Sequence, residues 1–243
     1  MAATTATNPA SIQREARIGG LLYVVIIVTA LFAEAFVRSS MIVSTDAVAT
    51  AHNIMASQRL YRLGGAADLV NLGCDVALSI ILYDLLRPVS RSLALTAIAF
   101  RLVADACLIV ATFFHFAPLF FLGGAGYLNV MPVAQLQALA LESTKIHALG
   151  YEVCMVFFGI HAMLAGWLIA RSTYIPRLIG LLLAVSGALY VANSFAGLVY
   201  PELNVPIYLL LPGFLAENAL AWWLLIRGVD VARWQAHAVA GPA

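Results

Sequence analysis

The chain has 243 residues, of which 63% are hydrophobic and only 10% charged, against roughly a quarter charged in an ordinary soluble domain. Water is therefore not the main solvent for this surface, and lipid is. With 13 basic and 12 acidic residues the net charge is +1, which excludes the electrostatic footprint of a nucleic-acid binder and any strongly charged tail.

A helix rises 1.5 Å per residue, so about 20 apolar residues cross a hydrocarbon core of about 30 Å. Residues 1–17 precede the first such run and are expected to form a cytoplasmic N-terminal segment carrying Arg14 and Arg17. Span one is expected over Ile18 to Val37; its apolar run ends in Ala33-Glu34-Ala35, a pattern that would also suit a signal peptide. A long connection follows from Arg38 to Leu60, with a helical run starting near Asp46 and Ser44, Thr45 or Asp46 as its cap. Span two is expected over Tyr61 to Leu86, a tight Pro88 turn follows, and span three runs from Ser92 to Phe116. A second long connection, Ala117 to Ile146, contains the flexible GGAGYLN and a separate helical run from Val133. Spans four, five and six are expected over His147 to Ala170, Leu178 to Tyr200 and Ile207 to Ile226, with Pro176 breaking the chain between four and five. Residues 227–243 form a tail. The fold expected is thus all-α, a polytopic bundle of about six spanning helices with two long, partly helical outer loops and one transmembrane domain over 18–226.

Arginine gathers on one side of this arrangement. Arg14, Arg17, Arg87, Arg91, Arg171, Arg177, Arg227 and Arg233 all fall on the side of the termini, so both termini are expected to be cytoplasmic in a plasma (inner) membrane. Trp222, Trp223 and Trp234 suit the same interface. Small residues at helical spacing, Gly159 with Gly166 and Gly180 with Ala184 and Gly187, fit close helix packing. The three cysteines, Cys74, Cys107 and Cys154, lie in apolar runs without paired spacing and read as small core residues.

Ionisable groups at bilayer depth are costly and normally face the bundle, yet several occur here. Span two carries Asp68, Asn71 and Asp75 on one helical face, with Gly64 and Gly65 before them allowing a bend; span three carries Arg101 and Asp105 one turn apart; span six carries Glu217 and Asn218 one turn after Pro212; span four carries His161. Arg101 stays protonated under burial and needs a carboxylate. One guanidinium facing Asp68, Asp75, Asp105 and Glu217 leaves acids in surplus. Such a surplus marks a site that takes up protons or a further cation. At the outer ends, His52, His115 and His147 are placed to converge as ligands of a transition metal. His147 and His161, 14 residues apart, also match the spacing of paired haem ligands in membrane helices. Nucleophile-elbow, zincin and phosphate-loop motifs are absent from the sequence.

The stretches RLGGAADLVNLGCDVALSIILYDLLRPVSRSLALTAIAFRLVADA (62–106) and HALGYEVCMVFFGIHAMLAGWLIARSTYIPRLIG (147–180) resemble a family of bacterial integral membrane proteins known only as a domain of unknown function. The resemblance implies the membrane architecture. It also places Asp68, Asp75, Tyr83, Arg101, His147, His161, Pro176 and Gly180 where the family has the same residue types, and brings no reaction or ligand with it. The residues themselves lead to a membrane protein whose charged midplane cluster (Asp68, Asn71, Asp75, Arg101, Asp105, His161, Glu217, Asn218) binds a small polar or amphipathic ligand, with proton-linked transport or sensing. Two other classes fit the sequence: an intramembrane metal enzyme acting on a lipid or isoprenoid, and an accessory subunit of a larger membrane complex. A homodimer is compatible with the first reading, since six helices are few for a transporter.

Overall fold

A computed structural model describes residues 9–200 and 211–240, and among these every regular element is helical. Helix α1 (Pro9–Leu31) passes without a break into a π-helical stretch, Phe32–Arg38, and a final turn, α2 (Ser39–Met41). Then come α3 (Ala47–Ala56), α4 (Gln58–Leu86), α5 (Arg91–Phe121), a short 3-10 turn (Gly126–Val130), α6 (Val133–Ser172), α7 (Arg177–Val199), α8 (Leu211–Ile226) and α9 (Val231–Ala240).

Among the described residues, Ala10–Met41, Gln58–Leu86, Arg91–Phe121, Val133–Ser172 and Arg177–Val199 are long and apolar enough to cross a membrane, and Leu211–Ile226 is a shorter apolar helix. The start of the expected sixth span, 207–210, lies outside the described residues. The outward surface has the character lipid requires. Phe36, Ile80, Phe113, Leu178 and Leu215 are between 61 and 71% exposed, a cost in water of about 1.5–3 kcal/mol for each large apolar side chain left uncovered. The protein is a membrane-spanning helical protein.

Two expected boundaries change. The connection Arg38 to Leu60 is shorter than expected, because the π turn lets the first helix continue to Met41 and places Arg38 on it rather than in a loop. The run from Val133 is not a separate loop helix but the beginning of α6, 40 residues long. No proline interrupts Val133–Ser172, and Lys145 and Glu142, which read as loop polarity, form an i,i+3 ion pair of 2.8 Å along the helix. At 1.5 Å per residue, α6 is about 60 Å long, twice the hydrocarbon thickness. Asp46 caps α3 as expected, its carboxylate accepting from the Ala49 N–H at 2.9 Å. Gly124, at φ 70°, makes the turn after α5 in a conformation that an L side chain resists.

The chain forms two compact units. One comprises Met1–Val24, Cys74–Ala104 and Met155–Ala243, the other Val25–Gly73 and Asp105–Cys154. Helices α1, α4, α5 and α6 each contribute one part to each unit. In the first unit the expected small-residue packing is present: an added Cβ at Gly159 would meet the carbonyl of Gly187, and one at Gly180 or Gly166 would meet the opposite backbone of α6 or α7. The same unit is locked at one end around the carbonyl of Leu85, one of the last four of α4, which no helical N–H can reach. The Tyr174 hydroxyl donates to it at 2.6 Å and the indole N–H of Trp234 at 3.1 Å. Trp234 is therefore buried in the protein. In the second unit Val37, Met41, Ile54, Tyr61 and Leu119 form the apolar core.

Candidate functional site

In each unit a buried arginine pairs with a buried aspartate of α4. In the first unit, Arg101 on α5 is 1% exposed. Its Nε donates to Asp75 Oδ1 at 2.6 Å, and its Nη2 donates to the same oxygen. Nη1 lies 2.8 Å from His161 Nε2. A guanidinium only donates, so Nε2 must present its lone pair. The ring proton is then on Nδ1, which donates to the Ala97 carbonyl at 2.9 Å. His161 is thereby fixed as one neutral tautomer with both nitrogens engaged, which leaves none for a haem iron. The guanidinium lies 5.5 Å from the Tyr23 ring centre and 5.4 Å from that of Phe158, so aromatic faces supply attraction where water is missing.

A second carboxyl acts on this arginine. Glu217 on α8 accepts from the Tyr190 hydroxyl at 2.8 Å, and Arg101 and Asp75 are among the charges that act on it. Gly213 makes the hydrogen bond possible, since a Cβ there would collide with the Tyr190 ring and hydroxyl. The Tyr190 ring lies 6.1 Å from Phe158, which in turn is 5.7 Å from His161, so an aromatic wall runs from Glu217 to the guanidinium. Glu217 and Asn218 are partly exposed, while Arg101 and Asp75 are buried. The Asn218 amide bonds back to its own helix at the Phe214 carbonyl, 2.8 Å away.

In the second unit, Arg38 binds Asp68 through both terminal nitrogens, at 2.7 and 3.3 Å, and its Nε donates to Glu34 at 2.7 Å. Arg38 is the residue that sequence reasoning missed. It was read as loop, and the signal that identifies it is Glu34, one helical turn before it at the end of an apolar run. Asn71 donates to the Ile26 carbonyl at 2.8 Å and lies 3.3 Å from the Thr29 hydroxyl, so it ties α4 to α1 as packing glue. Asp105 is buried and belongs to this unit. Of the expected cluster, Asp75, Arg101, His161, Glu217 and Asn218 belong to the first unit and Asp68, Asn71 and Asp105 to the second.

The histidines divide as well. His115 and His147 are buried with ring centres 5.7 Å apart. His115 Nε2 donates to the Tyr61 carbonyl at 3.0 Å, its ring stacking on Tyr61 at 4.3 Å, and His147 Nδ1 donates to the Ala111 carbonyl at 2.9 Å. Gly65 leaves room for the His115 and Phe116 rings. His52 is exposed on α3. Among the described residues no group of three or more His, Cys, Asp or Glu side chains is arranged to hold a metal ion, so the expected trio of His52, His115 and His147 is not assembled. The 14-residue spacing has another basis: His147 and His161 on α6 each bond a carbonyl of α5, Ala111 and Ala97, which are themselves 14 residues apart.

A protein of Archaeoglobus fulgidus carrying the name "Uncharacterized protein" is similar, 28% identical over 155 residues that cover 63% of this chain and 76% of the relative. No solved structure matches. The profile of one family covers residues 18–228, nearly the whole helical domain, and the chain belongs to that family, described as Domain of unknown function (DUF4386).

Proposed function

We propose that this protein binds a small polar ligand within its membrane domain (18–226), in a proton-linked manner, through the group formed by Asp75, Arg101, His161, Tyr190 and Glu217. One observation carries the reading. Arg101 is a cation that acts on Glu217, and it is already bonded to Asp75. His161 is held neutral by its two hydrogen bonds. Two carboxyls therefore share one guanidinium, and the second is balanced by a proton or by the positive end of a ligand.

The roles follow from position. Arg101 and Asp75 form a fixed base, and His161 orients the guanidinium. Glu217, partly exposed and held by a neutral hydroxyl, is the member that exchanges. Tyr190 keeps the carboxyl pointed along the aromatic wall. The interaction of Arg101 with Asp75 favours a ligand bearing an amine or another cationic group. The eight arginines near the helix ends support a cytoplasmic location for both termini in the inner membrane.

The test is a thermal-shift screen of the purified protein against small organic amines and small organic anions, repeated with Glu217→Gln, which keeps an acceptor for Tyr190 but cannot ionise. Stabilisation by an amine that weakens at lower pH and disappears in the variant is expected. Amine stabilisation of equal size in the variant, or stabilisation confined to anions, would contradict the reading.

A further inference from the structure

A separate feature lies at the start of α1. A cavity of about 470 Å³ is lined by Gln13, Arg14, Arg17, Ile18, Leu21 and Leu225, with Ala10 at its edge. Every one of these residues belongs to the first unit. The volume falls within the range of about 300–1,000 Å³ usual for small-molecule sites.

The walls are of two kinds. Arg14 and Arg17, three residues apart on one helical face, are both exposed. Ile18 and Leu21, 40 and 52% exposed, continue that face by one further turn, and Leu225 faces them from α8. Among the described residues no carboxylate lines the cavity. The side of Gln13 is fixed, because its amide donates to the Arg227 carbonyl at 2.7 Å and accepts from the Val229 N–H at 3.1 Å, bridging α1 to the turn after α8. Beyond the cavity the helices close: a Cβ at Gly20 would run into the backbone of Leu225 and the carbonyl of Ala221. The result is a recess with two guanidinium groups at one end and aliphatic side chains at the other, on a helix that spans lipid.

We propose that this recess is a binding site for one anionic phospholipid of the surrounding bilayer. The phosphodiester binds Arg14 and Arg17, and the first part of an acyl chain lies along Ile18, Leu21 and Leu225. A guanidinium fork matches phosphate oxygens in pairs, and basic recesses between membrane helices select anionic headgroups. A free phosphate satisfies the arginines but leaves the aliphatic wall uncovered. A zwitterionic lipid covers the wall but brings a cation to the arginines.

The experiment is a native mass-spectrometry titration of the full chain in detergent with phosphatidylglycerol, with phosphatidylcholine of the same acyl chains and with inorganic phosphate. One tightly held phosphatidylglycerol is expected, preferred over phosphatidylcholine. The preference should fall roughly fivefold with Arg14→Gln and roughly 25-fold with Arg14→Gln/Arg17→Gln, from the approximate worth of each basic residue near an anionic surface. Leu21→Trp, at an exposed position, should reduce binding of both lipids. Arg87→Gln/Arg91→Gln, which removes two arginines outside the recess, should leave the preference intact. An unchanged preference in the Arg14/Arg17 variant, an equal loss in the Arg87/Arg91 variant, or inorganic phosphate bound as tightly as phosphatidylglycerol would overturn the proposal.

Discussion

Among the described residues two arginine–aspartate pairs are buried, both built on α4, and they are made differently. Arg38 has two carboxylates: Asp68, which is buried, and Glu34, whose side chain is 70% exposed. Arg101 has Asp75, a neutral imidazole and two aromatic faces. The first pair can call on a flexible, accessible counter-charge. The second is bonded to Asp75, and the other carboxyl that acts on it, Glu217, is held by a neutral hydroxyl. Burying an ion pair contributes little net stability, but removing one member leaves the other charge buried and unmatched. The contrast therefore predicts unequal sensitivity at two aspartates seven residues apart on one helix.

The largest expected effect is Asp75→Asn, which leaves Arg101 without a carboxylate partner from α4 and should cost about 3–5 kcal/mol of stability. Asp68→Asn should cost less, about 1–3 kcal/mol, because Glu34 remains. Thermal unfolding of both variants in the same detergent checks the order, and equal losses would erase the distinction. Next in size is the histidine comparison. His161→Phe removes the acceptor of a buried guanidinium and a bond to Ala97, and should cost about 3 kcal/mol, whereas His147→Phe removes one neutral bond to Ala111 and should cost about 1 kcal/mol. The same unfolding assay measures both.

The smallest effect concerns Tyr174, in the turn between α6 and α7. Burial raises its phenol above the ordinary value of 10.0, and the neutral hydroxyl donates to Leu85. Above that ordinary value the unfolded chain loses the proton while the folded chain keeps it, so stability falls as the pH rises further. Tyr174→Phe should cost about 1 kcal/mol at neutral pH and flatten the alkaline decline. A decline of the same slope in the variant would assign it to other groups.

Much of the fold was legible in the sequence because lipid imposes a simple rule: apolar length marks the spans. The face of α4 bearing Asp68, Asn71 and Asp75 was equally clear from helical periodicity. The pairing was not. Which arginine meets which aspartate depends on how helices pack, and periodicity within one helix does not record that. Arg38 was missed because a π turn carries the first helix beyond its apolar run, and the start of α6 was missed because Glu142 and Lys145 pair along the helix rather than marking a loop. Tyr23 and Tyr190 stand in apolar runs with nothing in the sequence to mark them, although one faces the guanidinium and the other holds Glu217. The spacing of His147 and His161 was noticed, but two ring-to-carbonyl bonds explain it, and no cofactor is needed.

The measurement that bears most directly on the exchanging role of Glu217 is pH-difference infrared spectroscopy of the protein reconstituted in lipid. A protonated-carboxyl band that changes with pH is expected, lost in Glu217→Gln and kept in Asp68→Asn. Identical difference spectra for the native protein and Glu217→Gln would contradict it.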